Sequence, residues 1–582
     1  MLPKLQRFNS FDGCQIVYRH FSVPADLEHT GRWVVIFHRG HEHSARQSEL
    51  AMQFTSRGYQ VFAWDARGNG ESQGERDSAA SFSVLVRDAQ LFISHLAQRE
   101  NLALENLAVI GNSIGALIAT AWVHDYAPKI RALVIAAPAF RIKLYLPFAI
   151  PALRFARKLG LMARVTSYVK AKVLSHDRTE QQAFNQDPLI SHGISTDLLI
   201  DTYDIGSRLI DDAGAITVPV LVLCAGSDWV VQGTVQRKFY QRLGSPWKEW
   251  QYYADFYHAI FHEDHRQQAF DRSVDFIERT FATPIATPNH LQADQHGYSK
   301  DLQDNLALLG FRPNFYLTRV AFKYLGHLSA GISIAQSHGF DSGSSLDYVY
   351  QNQPRGTTIL GRAIDKNYLN SPGWVGIRER KQGLDDFLDQ YSAKLSSHSD
   401  QLQILDIACG NGRYIIDFLK RHSAQPRDNP VQINVELRDY MSINLEKAQQ
   451  SAEQQELHEQ LSYRQCDAFS ATSYRQAEQF DLVVISGLLE LESNNQTVLT
   501  ALSGAYQQLK PGGYLIYTNQ PWHPQLEFIA QVLHNHRGKP WLMRPRSQAE
   551  IDALVEHVGL QKVDMWIDTQ GIFSIAVAQK SL

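Results

Sequence analysis

Three residues of types that can act together in nucleophilic catalysis follow one another along the first half of the chain. Ser113 lies in "GNSIG", between an apolar strand-like run and a helix-like run. Asp228 ends "VPVLVLCAGSD", and His258 lies in "YADFYHAIFHE", each after a predicted strand. A serine hydroxyl is a weak nucleophile at neutral pH, so it needs a base and an acid that orients the base. The order Ser, Asp, His predicts such a triad on an α/β sheet.

Two alternatives stay open for this half of the chain. A glycine-flanked serine also occurs in turns without chemistry, and the strand context and the two partners favour the nucleophile. His262 and His265 are further candidates for the base. We prefer His258 because it lies nearest the predicted strand end, whereas the other two fall in a helix-like stretch.

A second set of candidate residues lies in "QILDIACGNGRYIIDFL", which predicts a strand, a glycine-rich loop and a helix. Asp406 precedes Gly410 and Gly412 in this stretch, and the backbone of such a loop approaches a bound ligand closely. A lone GxG is a weak signal, and a dinucleotide site would have a further glycine where Ile415 stands. The pattern therefore disfavours a dinucleotide-dependent oxidoreductase.

Polar residues follow each of the next predicted strands. "INVELRDYMS" contains Glu436 and Asp439, and we favour Asp439 as the acceptor for ribose hydroxyls because it leads into the following helix. Asp467 and Ala468 follow the third strand, where an adenine edge would be read. Ser486 follows the fourth strand, and "LKPGGYLIYTNQP" predicts a helix end, a Pro-Gly-Gly turn and a fifth strand.

Length and composition limit the class of protein. A chain of 582 residues is too long for one core, so two or three domains are expected. A charged fraction of 20% and a net charge of -4 indicate a globular protein and give no sign of nucleic-acid binding. The 4 cysteines form no CxxC pair, so we expect no metal site. No run resembles a signal peptide or a membrane span, which predicts a cytoplasmic protein.

The order of predicted elements divides the chain. Strand-like and helix-like runs alternate from about Trp33 to Phe281 and again from about Gln403 to Ala578. This alternation predicts two α/β domains with parallel sheets. The expected boundaries are a first domain over 1–282 with a cap at about 139–215, a linker over 283–297, an N-terminal extension over 298–396 and a second domain over 397–582.

Four stretches of the first domain resemble the monoacylglycerol lipase and lysophospholipase branch of the α/β-hydrolases. They are "FHRGHEHSARQ", "FAWDARGNGESQGER", "HDRTEQQAFNQDPL" and "YHAIFHE". The resemblance implies a serine esterase with a helical cap, acting on a lipid-like ester. It also implies an oxyanion hole made by the backbone N–H groups of Gly40 and Ile114.

Arg39 departs from that family's pattern, which usually has glycine at this position. The conformation of the turn, and with it the oxyanion hole, therefore depends on how Arg39 is accommodated. Its guanidinium would be able to hold a phosphate or carboxylate head group, and a solvated surface arginine is the equal alternative.

The predicted cap carries a hint about its surroundings. Its stretch from Arg141 to His176 mixes apolar runs with cations and contains no Asp or Glu. The cations include Lys143, Arg154, Arg157, Lys158, Arg164, Lys170 and Lys172. This composition suits peripheral contact with an anionic membrane, here at its inner face, and it suits an ordinary cap helix with a basic face as well.

The second domain resembles the class I S-adenosylmethionine-dependent methyltransferases over about 180 residues. The resemblance extends to a closing pair of strands, "LQKVDMWID" and "FSIAVAQK". The stretch after Phe340 resembles a little-characterised bacterial methyltransferase family that is sometimes fused behind an α/β-hydrolase. It implies S-adenosylmethionine as cofactor, and Tyr368, Trp374 and Arg378 are candidates for a lid over the acceptor, with scaffold packing as the alternative.

The leading hypothesis is a bifunctional enzyme that combines a lipid-type serine esterase with a methyltransferase for a small molecule or a lipid head group. The main alternative is a methyltransferase whose hydrolase-like half is a non-catalytic lipid-binding or docking module. Arg39 makes that alternative worth testing.

Overall fold

The computed structural model describes residues 3–308, 310–397, 399–423, 431–474, 478–535 and 538–582. The chain divides into two compact units, Met1–Pro288 and Asn289–Leu582. The division falls inside the segment 283–297 that the sequence predicts as a linker. Each unit has its own large sheet and its own buried core.

The first unit contains ten strands and eight α-helices among its described residues. The strands are β1 (Lys4–Asn9), β2 (Gln15–Phe21), β3 (Trp33–Phe37), β4 (Gln60–Trp64), β5 (Leu107–Asn112), β6 (Ala132–Ala136), β7 (Arg164–Thr166), β8 (Gly193–Ser195), β9 (Val220–Ala225) and β10 (Lys248–Tyr253). The helices are α1 (Ser48–Thr55), α2 (Phe82–Glu100), α3 (Ile114–Tyr126), α4 (Ala149–Lys158), α5 (Arg178–Gln186), α6 (Thr196–Asp211), α7 (Gly233–Arg242) and α8 (Gln267–Ala282).

Eight of these strands form one sheet in the order β1-β2-β4-β3-β5-β6-β9-β10. The neighbours β1, β2 and β4 are antiparallel, and all pairs from β4 to β10 are parallel. Every residue of β3, β5, β6 and β9 is buried, as is usual for parallel strands covered by helices on both faces. The predicted α/β fold of this domain is confirmed. The stretch between β6 and β9 carries α4 to α6 and the two-stranded β7-β8 ribbon, within the segment predicted as the cap.

A sharp turn joins β5 to α3 and carries Ser113 at its tip, with φ 54. The two flanking glycines are required because other backbone lies against them. A Cβ on Gly111 would lie 2.6 Å from Ala116 Cα, and one on Gly115 would lie 2.2 Å from the carbonyl oxygen of His38. Helix α3 can approach the sheet this closely only where no side chain intervenes.

We predict that Gly115→Ala destabilises the first unit by about 1–3 kcal/mol, because its Cβ would force backbone apart. The measurement is thermal unfolding by calorimetry. Gly233→Ala is the matched control, since a Cβ there meets only Cys224 Sγ at 3.3 Å. Equal unfolding temperatures for the two variants would contradict the packing argument.

The second unit contains seven strands and eleven α-helices among its described residues. The strands are β11 (Gln401–Ile407), β12 (Gln432–Asp439), β13 (Leu461–Gln465), β14 (Phe480–Ile485), β15 (Leu509–Asn519), β16 (Leu560–Ile567) and β17 (Ser574–Lys580). The helices are α9 (Tyr298–Ala307), α10 (Pro313–Leu325), α11 (Ala330–His338), α12 (Gly343–Gln351), α13 (Ile359–Leu369), α14 (Pro372–Ser396), α15 (Arg413–Ser423), α16 (Ser442–Gln454), α17 (Asn495–Gln508), α18 (Leu526–Val532) and α19 (Gln548–His557).

The seven strands form one sheet in the order β13-β12-β11-β14-β15-β17-β16. All neighbours are parallel except β17, which is antiparallel to both β15 and β16. The predicted closing pair of strands is therefore present. The order reverses between β11 and β14, and ligands of open α/β sheets bind at such a switch point.

One local prediction in this unit is wrong. The Pro-Gly-Gly stretch was expected to form a turn before the fifth strand, but Leu509–Asn519 is one continuous strand that includes it. The register against β14 shifts here, since Phe480 pairs with Leu509 and Leu482 with Tyr514. The Pro-Gly-Gly stretch is therefore an irregular part of the strand with three residues more than β14 has opposite it, which is larger than a one-residue bulge.

Candidate active sites

The predicted triad is assembled in the first unit. His258 Nε2 lies 2.8 Å from Ser113 Oγ, and His258 Nδ1 lies 2.9 Å from Asp228 Oδ2. The three side chains come from the turn after β5 and the loops after β9 and β10, so the sheet edge brings together residues far apart in sequence. All three are buried. A buried hydrogen-bonded chain of this kind can pass a proton from serine to histidine.

Asp228 is held as a carboxylate. Its Oδ1 accepts hydrogen bonds from the amides of Val230 at 2.7 Å and Val231 at 2.9 Å. Burial by itself would raise the pKa of Asp228, but His258 and these two amides lower it below its ordinary value. A charged Asp228 fixes the proton on His258 Nδ1 and leaves Nε2 facing Ser113.

The two alternative bases lie elsewhere. His262 Nε2 is 3.1 Å from the carbonyl oxygen of Arg46 and 3.6 Å from Glu42 Oε1. His265 is exposed. Only His258 has both hydrogen bonds that a triad base needs.

A cavity of about 520 Å³ opens beside Ser113. Gly40, Ile114 and His258 line it next to the serine, and most of the other lining side chains are apolar. Ile114 is the first residue of α3, so its N–H has no partner within the helix. The two residues predicted to form the oxyanion hole therefore lie at the same cavity as the nucleophile. The apolar lining includes Ile142, Leu144, Ala152, Leu153, Val165, Ile194 and Leu199.

Arg39 has no positive φ, so its position in the turn does not require glycine. Its side chain is buried rather than solvated. The guanidinium bonds Glu42 at 3.1 Å and stacks over Phe184 at 5.0 Å. Burial by itself raises the pKa of Glu42, but Arg39, His262 and Arg46 lower it well below its ordinary value. The charge of Arg39 is thus neutralised inside the protein.

The cations of the cap are partly paired by residues that are distant in sequence. Arg154 bonds Asp204, and Arg157 bonds Asp197 at 2.6 Å, both carboxylates belonging to α6. Large apolar side chains around α4 are exposed, among them Leu146 and Phe148 at 74% and 82%. The surface of the cap around α4 is therefore more apolar and less basic than the sequence of the cap indicates. Among the described residues, no helix has the length and hydropathy needed to cross a bilayer.

The glycine-rich loop of the second unit follows β11. Gly410 and Gly412 have φ of +55 and +65, a region that favours glycine. A Cβ on Gly410 would meet nothing within 4 Å, whereas one on Gly412 would meet Leu437 Cδ1 at 3.0 Å. Gly410 therefore borders open space, and Gly412 allows α15 to start close to the sheet.

Asp439, rather than Glu436, lies at the loop end of the second strand of this sheet. It is the last residue of β12 and accepts the Gly410 amide at 2.9 Å, so the Gly410 N–H is engaged by protein. Glu436 lies inside the strand opposite Leu405 and accepts from Arg438 Nε at 2.6 Å. The end of β12 separates the two acids, because Asp439 lies at the loop end of the strand and Glu436 lies inside it.

A cavity of about 400 Å³ lies at this edge, and Asp439, Asp467, Ala468 and Leu488 line it. The predicted ribose acid and the predicted adenine-side residues thus share one cavity. Ser486 follows β14 but does not line this cavity. No group of three or more His, Cys, Asp or Glu is arranged for a metal ion in the part of the chain that the structure describes.

Asp406 is fully buried beneath the loop. Tyr414 donates a hydrogen bond to Oδ1, and Oδ2 has no partner. Burial, which outweighs the Tyr414 hydrogen bond, raises the pKa of Asp406 to about 8. The carboxyl is therefore mainly protonated at neutral pH, and its place is under the loop rather than in the cavity lining.

A second cavity of the unit, of about 110 Å³, was not predicted from the sequence. Arg380, Glu490 and His523 line it together with Trp374. Tyr368 packs edge-on against Trp374, and Arg378 donates to the Leu369 carbonyl at 2.9 Å. Of the three predicted lid residues, only Trp374 lines the cavity. A signal was present, since Glu490 and His523 follow the strands β14 and β15.

Comparison with known proteins agrees with this division. Residues 28–265 match a family described as "Serine aminopeptidase, S33", and residues 273–580 match a family described as "Putative methyltransferase". The chain is 41% identical to "Uncharacterized protein YnbC" of Escherichia coli (strain K12), over 99% of this chain and 98% of that protein. The chain belongs to this methyltransferase family and carries an α/β-hydrolase domain in front of it.

Two further relatives match the first half. A monoacylglycerol lipase of Mycolicibacterium smegmatis is 26% identical over 46% of this chain and 95% of its own length. The crystal structure of a monoacylglycerol lipase from Paleococcus ferrophilus is 23% identical, covers 46% of this chain and 99% of that one, and superposes with a TM-score of 0.41.

We predict that Gly410→Val abolishes binding of S-adenosylmethionine, because its side chain would project into the open space beside the loop. Gly297→Val is the matched control, since Gly297 also has a positive φ and open space around its Cβ position. Calorimetric titration of the full chain gives the affinity. Unchanged binding by Gly410→Val would contradict the assignment of the loop.

Asp439→Ala is expected to weaken the same binding by about 1–3 kcal/mol, through loss of a charged hydrogen-bond acceptor. Glu436→Ala is its control and should bind nearly as the unaltered protein does. The reverse result, a large loss for Glu436→Ala and none for Asp439→Ala, would assign the ribose to Glu436 and leave the cofactor unchanged.

Proposed function

We propose that the chain is a bifunctional enzyme. Its first domain is a serine hydrolase for a lipid-like ester of the monoacylglycerol or lysophospholipid type. Its second domain transfers a methyl group from S-adenosylmethionine to a small molecule or a lipid head group. The observation that carries the first activity is the chain of hydrogen bonds from Ser113 through His258 to Asp228 at the end of an apolar cavity.

In this proposal Ser113 Oγ attacks the ester carbonyl while His258 Nε2 takes the hydroxyl proton. Asp228 stabilises the imidazolium that forms and holds the ring in place. The amides of Gly40 and Ile114 face the oxygen on which negative charge develops. His258 then returns the proton to the departing alcohol, and water releases the acyl group by the same steps.

The lining of the cavity favours an uncharged alcohol over a phosphate-bearing one. An acyl chain gains about 0.8 kcal/mol for each methylene that leaves water. A phosphate would need a free cation beside the serine. Arg39 is the one arginine or lysine among the described lining residues, and Glu42 already neutralises it. Monoacylglycerols therefore fit better than lysophospholipids.

The residues around the glycine-rich loop fit S-adenosylmethionine. The space beside Gly410 admits its amino-acid part, Asp439 would accept the ribose hydroxyls, and Asp467 with Ala468 would border the adenine. When bound, this group supplies an electrophilic methyl on a sulfonium. The protein's contribution to such a transfer is alignment and the exclusion of water.

The alternative is that the first half only binds lipid and catalyses nothing. A docking module would have no need of a base with both of its hydrogen bonds in place. Arg39, the residue that raised the alternative, has no positive φ and is paired with Glu42. Both observations favour a catalytic first domain over a module that only binds lipid.

We predict that Ser113→Ala in the full chain lowers hydrolysis of a chromogenic ester by several orders of magnitude and leaves S-adenosylmethionine binding unchanged. Ser167→Ala is the matched control, because Ser167 lines the same cavity and bonds His41 instead. In the unaltered protein, kcat/KM should rise roughly four-fold for each added acyl methylene until the cavity is full. Hydrolysis that survives in Ser113→Ala would refute the triad.

We further propose that the cap touches an anionic membrane surface. Co-sedimentation with anionic vesicles should weaken as salt rises, and further when Arg154, Arg157 and Lys158 are changed to Gln. Because Arg154 and Arg157 are paired in the structure, Phe148→Ser should reduce vesicle binding more than these three changes together. Neutral phosphatidylcholine vesicles are the control. Binding that ignores salt, or no binding, would count against this surface.

A further inference from the structure

The methyltransferase unit has two cavities at the carboxyl edge of its sheet, the first lined by Asp439 and the second lined by Arg380, and they lie beside each other. The stretch after β14 contributes to both, since Gly487 lines the second cavity and Leu488 lines the first. Gln520 and His523, which follow β15, complete the second. A methyl acceptor must lie next to the donor for direct displacement, so this position suits the acceptor.

The cavity holds a buried ion pair that cancels its own charge. Arg380 Nη1 lies 2.8 Å from Glu490 Oε1, with side-chain exposures of 6% and 5%. Thr518 Oγ1 also donates to Glu490 Oε1 at 3.1 Å and in turn accepts the Gly487 amide at 2.8 Å. A ligand with a net charge would have to compete with one partner of this pair, which is costly in a buried site.

His523 adds one directed hydrogen-bond donor. Burial lowers its pKa to about 3, so the imidazole is neutral at physiological pH. Its Nδ1 accepts the amide of Gln525 at 3.0 Å, which places the proton on Nε2. A Cβ on Gly373, another lining residue, would lie 2.7 Å from Nε2, so glycine keeps the space next to this nitrogen clear.

Four aromatic rings line the cavity, with aliphatic side chains between them. The rings belong to Phe340, Trp374, Trp541 and Phe573, and Arg380 stacks over Phe573 at 5.0 Å. The volume of about 110 Å³ is of the order that holds one small ring, since an apolar cavity of about 150 Å³ binds benzene. A flat, compact molecule fits these walls better than a lipid tail.

We propose that this cavity binds the methyl acceptor. The acceptor is an uncharged molecule of the size of one ring. It carries a hydroxyl group, whose oxygen is methylated, and a second oxygen beside that group. The hydroxyl faces Glu490, and the second oxygen accepts from His523 Nε2. This inference rests on the proposed methyltransferase function and narrows its substrate from small molecules and lipid head groups to neutral hydroxylated rings.

Glu490 takes the hydroxyl proton while the oxygen forms its bond to the methyl carbon, whose bond to the sulfonium sulfur breaks with the electron pair left on sulfur. Arg380 and Thr518 keep the carboxylate in place for this. His523 is a donor and not the base, because Nε2 already carries its proton.

Amines are the class that this proposal excludes. Aromatic walls with a carboxylate would also suit a cation. Arg380 already occupies that role at Glu490, and half-buried Asp341 is the remaining acid of the lining. A cationic ring therefore serves as the competing probe.

The test uses three single-ring probes against the full chain in the presence of S-adenosylhomocysteine. Catechol is neutral with two adjacent oxygens, benzylamine is cationic and benzoate is anionic. Ligand-observed NMR titrations give their affinities. We expect catechol to bind at least about ten-fold tighter than the other two. Tighter binding of benzylamine or benzoate, or no binding by any of the three, would overturn the proposal.

Two variants locate the binding. His523→Phe should weaken the binding of catechol by about three- to ten-fold, which corresponds to the loss of one neutral hydrogen bond. His290→Phe is its control, because His290 is also a histidine whose pKa is lowered by burial and it does not line the cavity. Equal effects of the two changes would overturn the assignment of His523.

Glu490→Gln leaves Arg380 without its partner, so benzoate should gain affinity and methyl transfer to catechol should fall at least about ten-fold. If this variant does not fold, probe selectivity and His523→Phe still decide the matter. Calorimetric measurement of S-adenosylhomocysteine binding distinguishes failure of the proposed methyltransferase function from failure of the proposed acceptor class. If the unaltered protein does not bind S-adenosylhomocysteine, the proposed methyltransferase function is contradicted. If it binds S-adenosylhomocysteine but not catechol, only the proposed class of acceptor is contradicted.

Discussion

Parallel strands all run one way, so their carboxyl ends meet at one edge of the sheet and the loops that leave them converge. Both units of this protein are built on that constraint. In the first, the loops after β5, β9 and β10 bring Ser113, Asp228 and His258 into one hydrogen-bonded chain. In the second, the loops after β11 to β15 border two neighbouring cavities. Neither arrangement requires the site residues to be near one another in sequence.

Glycine makes the close approaches on which these edges depend, for different reasons at different positions. At Gly115 the reason is contact, because His38 leaves no room for a Cβ. At Gly410 the reason is conformation and free space, because its φ is +55 and nothing lies within 4 Å of a Cβ there. One position packs a helix against a sheet, and the other leaves open space beside its loop.

Buried charges in both units are neutralised within the protein. Glu42 compensates Arg39 beside the hydrolase cavity, and Glu490 compensates Arg380 in the second methyltransferase cavity. Removing one member of such a pair leaves the other charge buried and alone, which is strongly unfavourable. The same principle therefore directs both proposed activities toward uncharged substrates, a neutral ester in one unit and a neutral hydroxyl compound in the other.

The amino-acid sequence determined the order of elements, the two α/β domains and the positions of the local motifs. Ser113 and the Gly410 loop could be singled out from sequence because each motif consists of a few adjacent residues in a strand–turn–helix. The same holds for Asp228 and His258, since the acids and bases of α/β folds follow strand ends that apolar runs reveal.

Only the tertiary structure decided which distant residues meet. The end of β12 separates Asp439 from Glu436, because Asp439 is its last residue and Glu436 lies three positions inside it, and local pattern does not fix where a strand ends. Arg154 appeared free in its acid-free stretch, yet it meets Asp204 of another helix. Arg380, Glu490 and His523 come from α14 and from the ends of two strands, and no spacing rule joins them. Long-range contacts depend on how helices pack across a sheet, and that packing is set by the whole core rather than by neighbouring residues.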